Sequence, residues 1–309
     1  MHKILLTGAA GFIGSHVVEH LLDQGHQVFG IDNFDDFYFR SIKEQNISAC
    51  LLNPSLTFIE GNVGDVASLF PDTTFDLVIH LAAKAGVRPS IAQPKQYIDA
   101  NLSQTMALLQ WMKAHGMNKL VFASSSSVYG NNVKVPFSES DPVDHPISPY
   151  AFTKAKNLEL LENFKKWFNF KYEVIYFYNV YGPREPKIGE WATVVAKFGR
   201  QFEEGDQLTV VGDGSQSRDF THVEDICNGL IKISEGDWRG QNFDLGRGNP
   251  ISILDVAKMW TDNDLSKITF VPLRKNEGQH TESEWMKTYS LIKWRAEKNL
   301  SDYIKSCKI

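Results

Sequence analysis

The chain has 309 residues, 42% of them apolar, with a formal net charge of −5. That is enough apolar material for a full core in one large domain or two modest ones. The mild acidity and lack of a basic run exclude an extended nucleic-acid face, and no apolar run nears the ~18–20 residues that span a bilayer. The opening MHKILLTGAAGFIG carries no charged leader and cleavage site, and Cys50, Cys227 and Cys307 are scattered without metal-ligand spacing. A soluble cytoplasmic protein with reduced thiols is therefore expected.

In chain order, KILLT (3–7) reads as a buried strand and FIGSHVVEHLLDQG (12–25) as a helix closed by Gly25. HQVFGID (26–32), TFIEGN (57–62), FDLVIHLA (75–82) and NKLVFASS (118–125) are further strands. QYIDANLSQTMALLQWMKAHG (96–116) has the spacing of one long amphipathic helix. A helix over about 149–168 precedes the strand KYEVIYFY (171–178). Strands alternating with crossovers of this length predict an α/β fold with a doubly wound parallel sheet. After about residue 180 the elements shorten. ATVVAKFGRQFEEG and SILDVAKMW read as helices, QLTVVGDGSQ as a strand and turn, and LSDYIKSCKI as a last helix. A smaller mixed α/β C-terminal lobe is expected, with no internal repeat.

Thr7-Gly8-Ala9-Ala10-Gly11-Phe12-Ile13-Gly14 follows a strand and opens a helix. Glycines at this spacing let the backbone approach a pyrophosphate at the positive end of a helix. Alone, the pattern also fits a tight turn with no ligand. Asp32, 18 positions beyond Gly14, ends the second strand. A carboxylate there accepts from ribose hydroxyls and repels a 2′-phosphate, which favours NAD over NADP.

Tyr150 and Lys154 sit at i and i+4 of a helix begun by Ser148 and Pro149. An ammonium beside a phenol stabilises the phenolate and makes the tyrosine a better base. Taken alone, such a pair is more often structural. The serine run Ser124–Ser127 follows the strand KLVFA, where a hydroxyl could bond a substrate oxygen. A polar loop capping the strand reads equally well without its companions.

The glycine turn, Asp32, HLAAKAG (80–86), Asn101, SSSSVYG, YAFTK, NVYGPR and RDFTHVED, in that order, resemble the extended short-chain dehydrogenase/reductase family, and more closely the NAD-dependent UDP-sugar 4-epimerases. The likeness runs from about residue 3 to about 275. It implies a Rossmann sheet over 1–178, with 220–246 returning to it, and a substrate lobe from 179–219 and 247–309. Ser125, Tyr150 and Lys154 are then the catalytic set. The cofactor is held by Gly8, Gly11, Phe12, Ile13, Gly14, Asp32, Asn33, Asn101, Tyr150 and Lys154. Asn62 and Val63 lie near adenine, while Leu81, Ala82, Ala83 and Lys84 flank the cofactor. Substrate contacts fall on Lys84, Arg88, Ser125, Ser126, Ser127, Tyr150, Asn179, Arg218 and Arg274.

In that mechanism a phenolate takes the C4 hydroxyl proton, hydride leaves C4, and a 4-keto sugar turns over before reduction on its other face. Related dehydratases carry Asp-Glu, and decarboxylases a glutamate, where this chain has Ser126 and Ser127. Hydroxyls cannot act as carboxylic acids at neutral pH, so C4 epimerisation is favoured over both. KAGVRPS (84–90) resembles UDP-glucuronate 4-epimerases, yet the arginine those relatives carry after the NVYGP-like segment is missing or displaced, which leans the expectation to a neutral UDP-hexose. A UDP-glucuronate 4-epimerase, a dehydratase or decarboxylase, and a non-catalytic NAD sensor are the alternatives. Tyr176 stands where many relatives have arginine. His280 and Glu284, four apart, lack a third ligand signal, so no metal is expected. Similar proteins pair the helices at 96–116 and 149–168 into a homodimer.

Overall fold

The computed structural model describes residues 1–130, 132, 134–189, 192–273 and 279–308. In chain order the strands are β1 (Lys3–Thr7), β2 (Gln27–Asp32), β3 (Leu56–Glu60), β4 (Leu77–His80), β5 (Lys119–Ser125), β6 (Lys171–Phe177), β7 (Asn179–Tyr181), β8 (Leu208–Val211), β9 (Ser217–Arg218), β10 (Phe220–His222), β11 (Asn242–Leu245), β12 (Ile251–Ser252) and β13 (Ile268–Val271). Seven of them form one sheet in the order β11-β6-β5-β4-β1-β2-β3, parallel at every pairing. This is a Rossmann-type sheet.

The helices are α1 (Phe12–Asp23), α2 (Arg40–Ser48), α3 (Val66–Leu69), α4 (Val87–Ala92), α5 (Pro94–Ile98), α6 (Gln104–Ala114), α7 (Pro149–Phe168), α8 (Val194–Glu203), α9 (Val223–Ser234), α10 (Ile253–Thr261), α11 (Trp285–Ile292) and α12 (Leu300–Cys307). Side chains alternate across a strand, so each strand feeds two cores. Ile4, Leu6, Val121 and Ile175 pack with α1 and α9 on one face. Leu5, Leu120, Phe122, Val174 and Tyr176 pack with α6 and α7 on the other. Burial on both faces explains why these strands read as continuous apolar runs. A third cluster joins α8, β8, α10, β13 and α12 around Phe198, Val210 and Trp260.

The helix expected over 96–116 is interrupted. A π-helical turn at Asp99–Ser103 separates α5 from α6. It carries Asn101, whose side chain bonds the Lys84 backbone in both directions, at 2.8 and 2.9 Å. Tyr176 is buried at a ring-centroid distance of 5.3 Å from Tyr129. Tyr129 and Tyr178 donate to Asp244 Oδ1 at 3.0 Å each, and Lys287 Nζ lies 3.5 Å from Glu139 Oε2 beside it. A lysine from α11 thus supplies the cation at this buried acid cluster.

Candidate active site

Strand order reverses at β1, whose neighbours β2 and β4 lead the sheet in opposite directions. A crevice at such a point, beyond the carboxyl ends of the strands, is where this architecture places ligands. A cavity of about 610 Å³ opens there. Its wall includes Gly8, Gly11, Phe12, Ile13, Gly14, Asp32, Asn33, Val63, Leu81, Ala82, Ala83 and Lys84, and then Ser125, Tyr150, Lys154, Asn179 and Arg218. Residues far apart in sequence are thereby brought to one space.

The glycine turn is sterically obligatory. A Cβ at Gly14 would stand 2.0 Å from the Gly8 carbonyl oxygen, and Gly8 itself has φ +75°. Helix α1 then starts at Gly11 with no side-chain cap, which leaves its first amides to a ligand or solvent. Asp32 is buried at the end of β2 and accepts from Ala10 N at 3.1 Å and Phe34 N at 2.9 Å. Lys43 on α2 approaches the same carboxylate to 3.4 Å. Tyr38, its ring centroid 5.2 Å from the Lys43 ammonium, buries its hydroxyl beside the Phe12 backbone. Burial and the Asp32 charge push that phenol's pKa far up. Neither Lys43 nor Tyr38 was singled out from sequence, because residues 33–55 show no clear periodicity.

Ser148 caps α7, accepting from Ala151 N at 3.1 Å, with Pro149 in the first turn. That cap fixes Tyr150 and Lys154 on the cavity face. Lys154 Nζ donates to the Ala123 carbonyl at 2.6 Å, and burial lowers its pKa to about 7. The Tyr150 pKa is raised, first by burial, against which the hydrogen bond with the Ser125 side chain pulls downward. Here the group that lowers the phenol is Ser125, while the Lys154 ammonium spends one of its three donors on β5. Beneath them His80 is held between Thr7 Oγ1 at 2.7 Å and Thr105 Oγ1 at 3.0 Å. Burial, with Lys154 adding to it, drops its pKa to about 3, so it stays neutral.

Some expected residues fall off the wall. After Ser125 the chain tightens into a 3-10 turn over Ser126–Tyr129, and the Ser127 amide folds back onto Ser125 Oγ at 3.2 Å. That turn carries Ser126 and Ser127 away and leaves Ser124 and Ser125 on the wall. Asn101 is buried behind it, donating to Thr153 Oγ1 at 3.1 Å, so its position suits orienting the wall rather than touching a cofactor. Asn62 is tied to Asn33 at 3.0 Å outside the lining, and Arg88 is exposed on α4. Arg274 lies outside the described residues. His280 and Glu284 serve structure: the first contacts Ser217, and the second caps α11. Glu185 and Thr193, unmarked in the sequence, line the cavity.

A family profile described as "NAD dependent epimerase/dehydratase family" matches residues 4–246. UDP-glucuronate 4-epimerase of Thermodesulfobacterium geofontis is 34% identical over 312 residues, covering 99% of this chain and 94% of its own length. Among solved structures, UDP-glucose 4-epimerase of Thermotoga maritima, determined with UDP-glucose, superposes with a TM-score of 0.88 at 31% identity, covering 98% of this chain and 96% of that one. UDP-glucuronic acid 4-epimerase of Bacillus cereus, determined with UDP-glucuronic acid and NAD, gives 0.89 at 32% identity, with the same coverage of 98% and 96%.

Proposed function

The chain belongs to the NAD dependent epimerase/dehydratase family, and from that premise we propose that it epimerises a UDP-hexose at C4. NAD is the family's cofactor, and the residues present fit it. A Cβ at Gly8 or Gly14 would collide with backbone, helix α1 opens at Gly11 without a side-chain cap, and buried Asp32 ends β2. On this reading residues 1–178 and 220–246 hold NAD, while 179–219 and 247–309 hold the sugar nucleotide. When bound, NAD supplies a reversible acceptor for the hydrogen on the sugar carbon.

The protein's own groups manage the proton and the oxygen. Tyr150 takes the C4 hydroxyl proton at its phenolic oxygen and returns it once the sugar presents its other face. Ser125 donates to the same sugar oxygen and assists the phenolate. Lys154, fixed on Ala123, is placed to hold the cofactor ribose and to balance the phenolate. Asn179 and Arg218 sit on the wall for the nucleotide diphosphate. The observation that carries this reading is the convergence of Ser125, Tyr150 and Lys154 on the cavity that the glycine turn also lines. Serines rather than carboxyls at positions 126 and 127 favour epimerisation over elimination.

The test is product analysis with UDP-sugars by chromatography and NMR. An equal-mass 4-epimer is expected; loss of water or carbon dioxide rules the reading out. Tyr150→Phe should lower kcat by roughly 10²–10⁴-fold while cofactor stays bound. A homodimer through α6 and α7 is part of the proposal, supported by the groove of Leu102, Met106 and Leu160 and by exposed Phe152. The cytoplasm is the proposed location, in keeping with three unpaired cysteines; no helix among the described residues is long and apolar enough to cross a membrane.

A further inference from the structure

We propose that Glu185 decides which UDP-sugar the cavity accepts, favouring a neutral hexose, plain or N-acetylated, over a uronate. The inference rests on the cavity being the UDP-hexose site. Phe177, the last residue of β6, is in register with Ser125 at the end of β5. From there the wall continues through Tyr178, Asn179 and Val180 to Glu185 and Pro186. Glu185 therefore lines the same cavity as Ser125 and Tyr150.

The residue is only 7% exposed. Thr193, the N-cap of α8, donates to Oε1, whereas among the described residues Oε2 has only a 3.5 Å contact from the Gly182 amide. Oε2 has bonding capacity to spare. The cavity's cations are committed elsewhere: Lys43 to Asp32, Lys84 to Asp35, and Lys154 to the Ala123 carbonyl. Arg218 donates to the Ser217 carbonyl. Arg184, next in the chain, has φ +67° and turns away to Glu19 and Ser15. Among the described residues no cation pairs with Glu185.

Burial without a counter-charge keeps this carboxyl protonated well above the usual carboxylate range. A neutral acid both donates and accepts, which suits a ring hydroxyl or an acetamido group. A uronate would bring a second carboxyl to a place that already has one and where none of the described residues offers a cation to pair with it. Burying an unpaired carboxylate is costly, so such sugars bind less well.

The experiment compares kcat/KM and equilibrium binding of UDP-glucose, UDP-N-acetylglucosamine and UDP-glucuronate for the wild-type holoenzyme, Glu185→Gln, Glu185→Ala and Glu185→Leu. Wild type should favour at least one neutral sugar over the uronate by about tenfold or more, and Glu185→Gln, still a neutral donor and acceptor, should keep that preference. Glu185→Ala should lose about tenfold on the neutral sugar and little on the uronate, so the ratio collapses. Glu185→Leu fills the same volume and should match Ala; it decides the matter if the Ala variant does not fold. A wild-type preference for the uronate, or a ratio unchanged in both apolar variants, overturns the role of Glu185. No turnover of any UDP-sugar by wild type overturns the underlying reading of the cavity as well.

Discussion

Burial moves Tyr150 and Lys154 in opposite senses, the phenol up and the ammonium down to about 7. Desolvation penalises whichever form is charged, so packing alone resists the phenolate–ammonium pair that proton abstraction needs. Ser125 is the group that opposes this for the phenol. Replacing Ser125 with Ala should therefore move the rising limb of the kcat/KM–pH profile to higher pH, as well as lowering its plateau. A profile whose limb stays put would show that Ser125 does not tune Tyr150. The chemistry of these three residues is legible in sequence because each motif has a fixed offset from a strand end or a helix start. Ser124 against Ser126 and Ser127 is not legible, since which serine faces the cavity depends on where β5 stops and the turn begins. Glu185 is silent for a related reason. Its burial comes from Gly182 and the α8 cap meeting across a loop, and no period records that.

At the scale of elements, the turn between β1 and α1 is the least tolerant part. Gly14→Ala would drive a methyl to within 2.0 Å of a backbone carbonyl that cannot retreat without moving β1. A stability loss of about 1–3 kcal/mol is expected, together with poor NAD retention. Thermal melting with and without added NAD measures both. The strands and α7 could be read from apolar runs and from the Ser-Pro start. The break between α5 and α6 could not, because the apolar spacing passes through it unchanged. Its purpose is visible only in three dimensions: Asn101 ties the Lys84 segment to α7, accepting from Asn157 Nδ2 at 2.7 Å through its carbonyl. Asn101→Ala should reduce kcat/KM with the chemistry groups intact, while Asn101→Asp should restore only the Lys84 amide bond at 2.8 Å. An alanine variant with wild-type kinetics would leave Asn101 with a purely structural part.

For the whole molecule, buried titratable groups set opposing pH dependences. His80 titrates near 3 when folded but near 6.5 when unfolded. As pH falls through about 6.5 the unfolded chain gains a proton that the folded one refuses, so stability declines toward pH 3 at up to about 1.4 kcal/mol per pH unit. Asp244 has the reverse sign. Burial and the neighbouring Glu139 charge raise its pKa, so its contribution is present in acid and lost as pH rises through that raised value. Urea unfolding of wild type and His80→Asn across pH 4.5–7.5 should show a shallower acid loss in the variant. Equal slopes would remove His80 from the account. Size-exclusion chromatography with light scattering, on wild type and on Leu160→Glu at the α6–α7 groove, should give a dimer and a monomer respectively; a monomeric wild type would end the dimer proposal.

One of the sheet's two edge strands, β11, arrives late in synthesis. Until residues 239–245 leave the ribosome, β6 presents a bare edge, and buried Glu173 lacks the three amides of Arg239, Gly240 and Gln241 that solvate it. A nascent chain halted near Tyr178 would therefore carry an open apolar edge and an uncompensated acid. Such an intermediate is sticky, and it would draw on chaperones until the last strand docks.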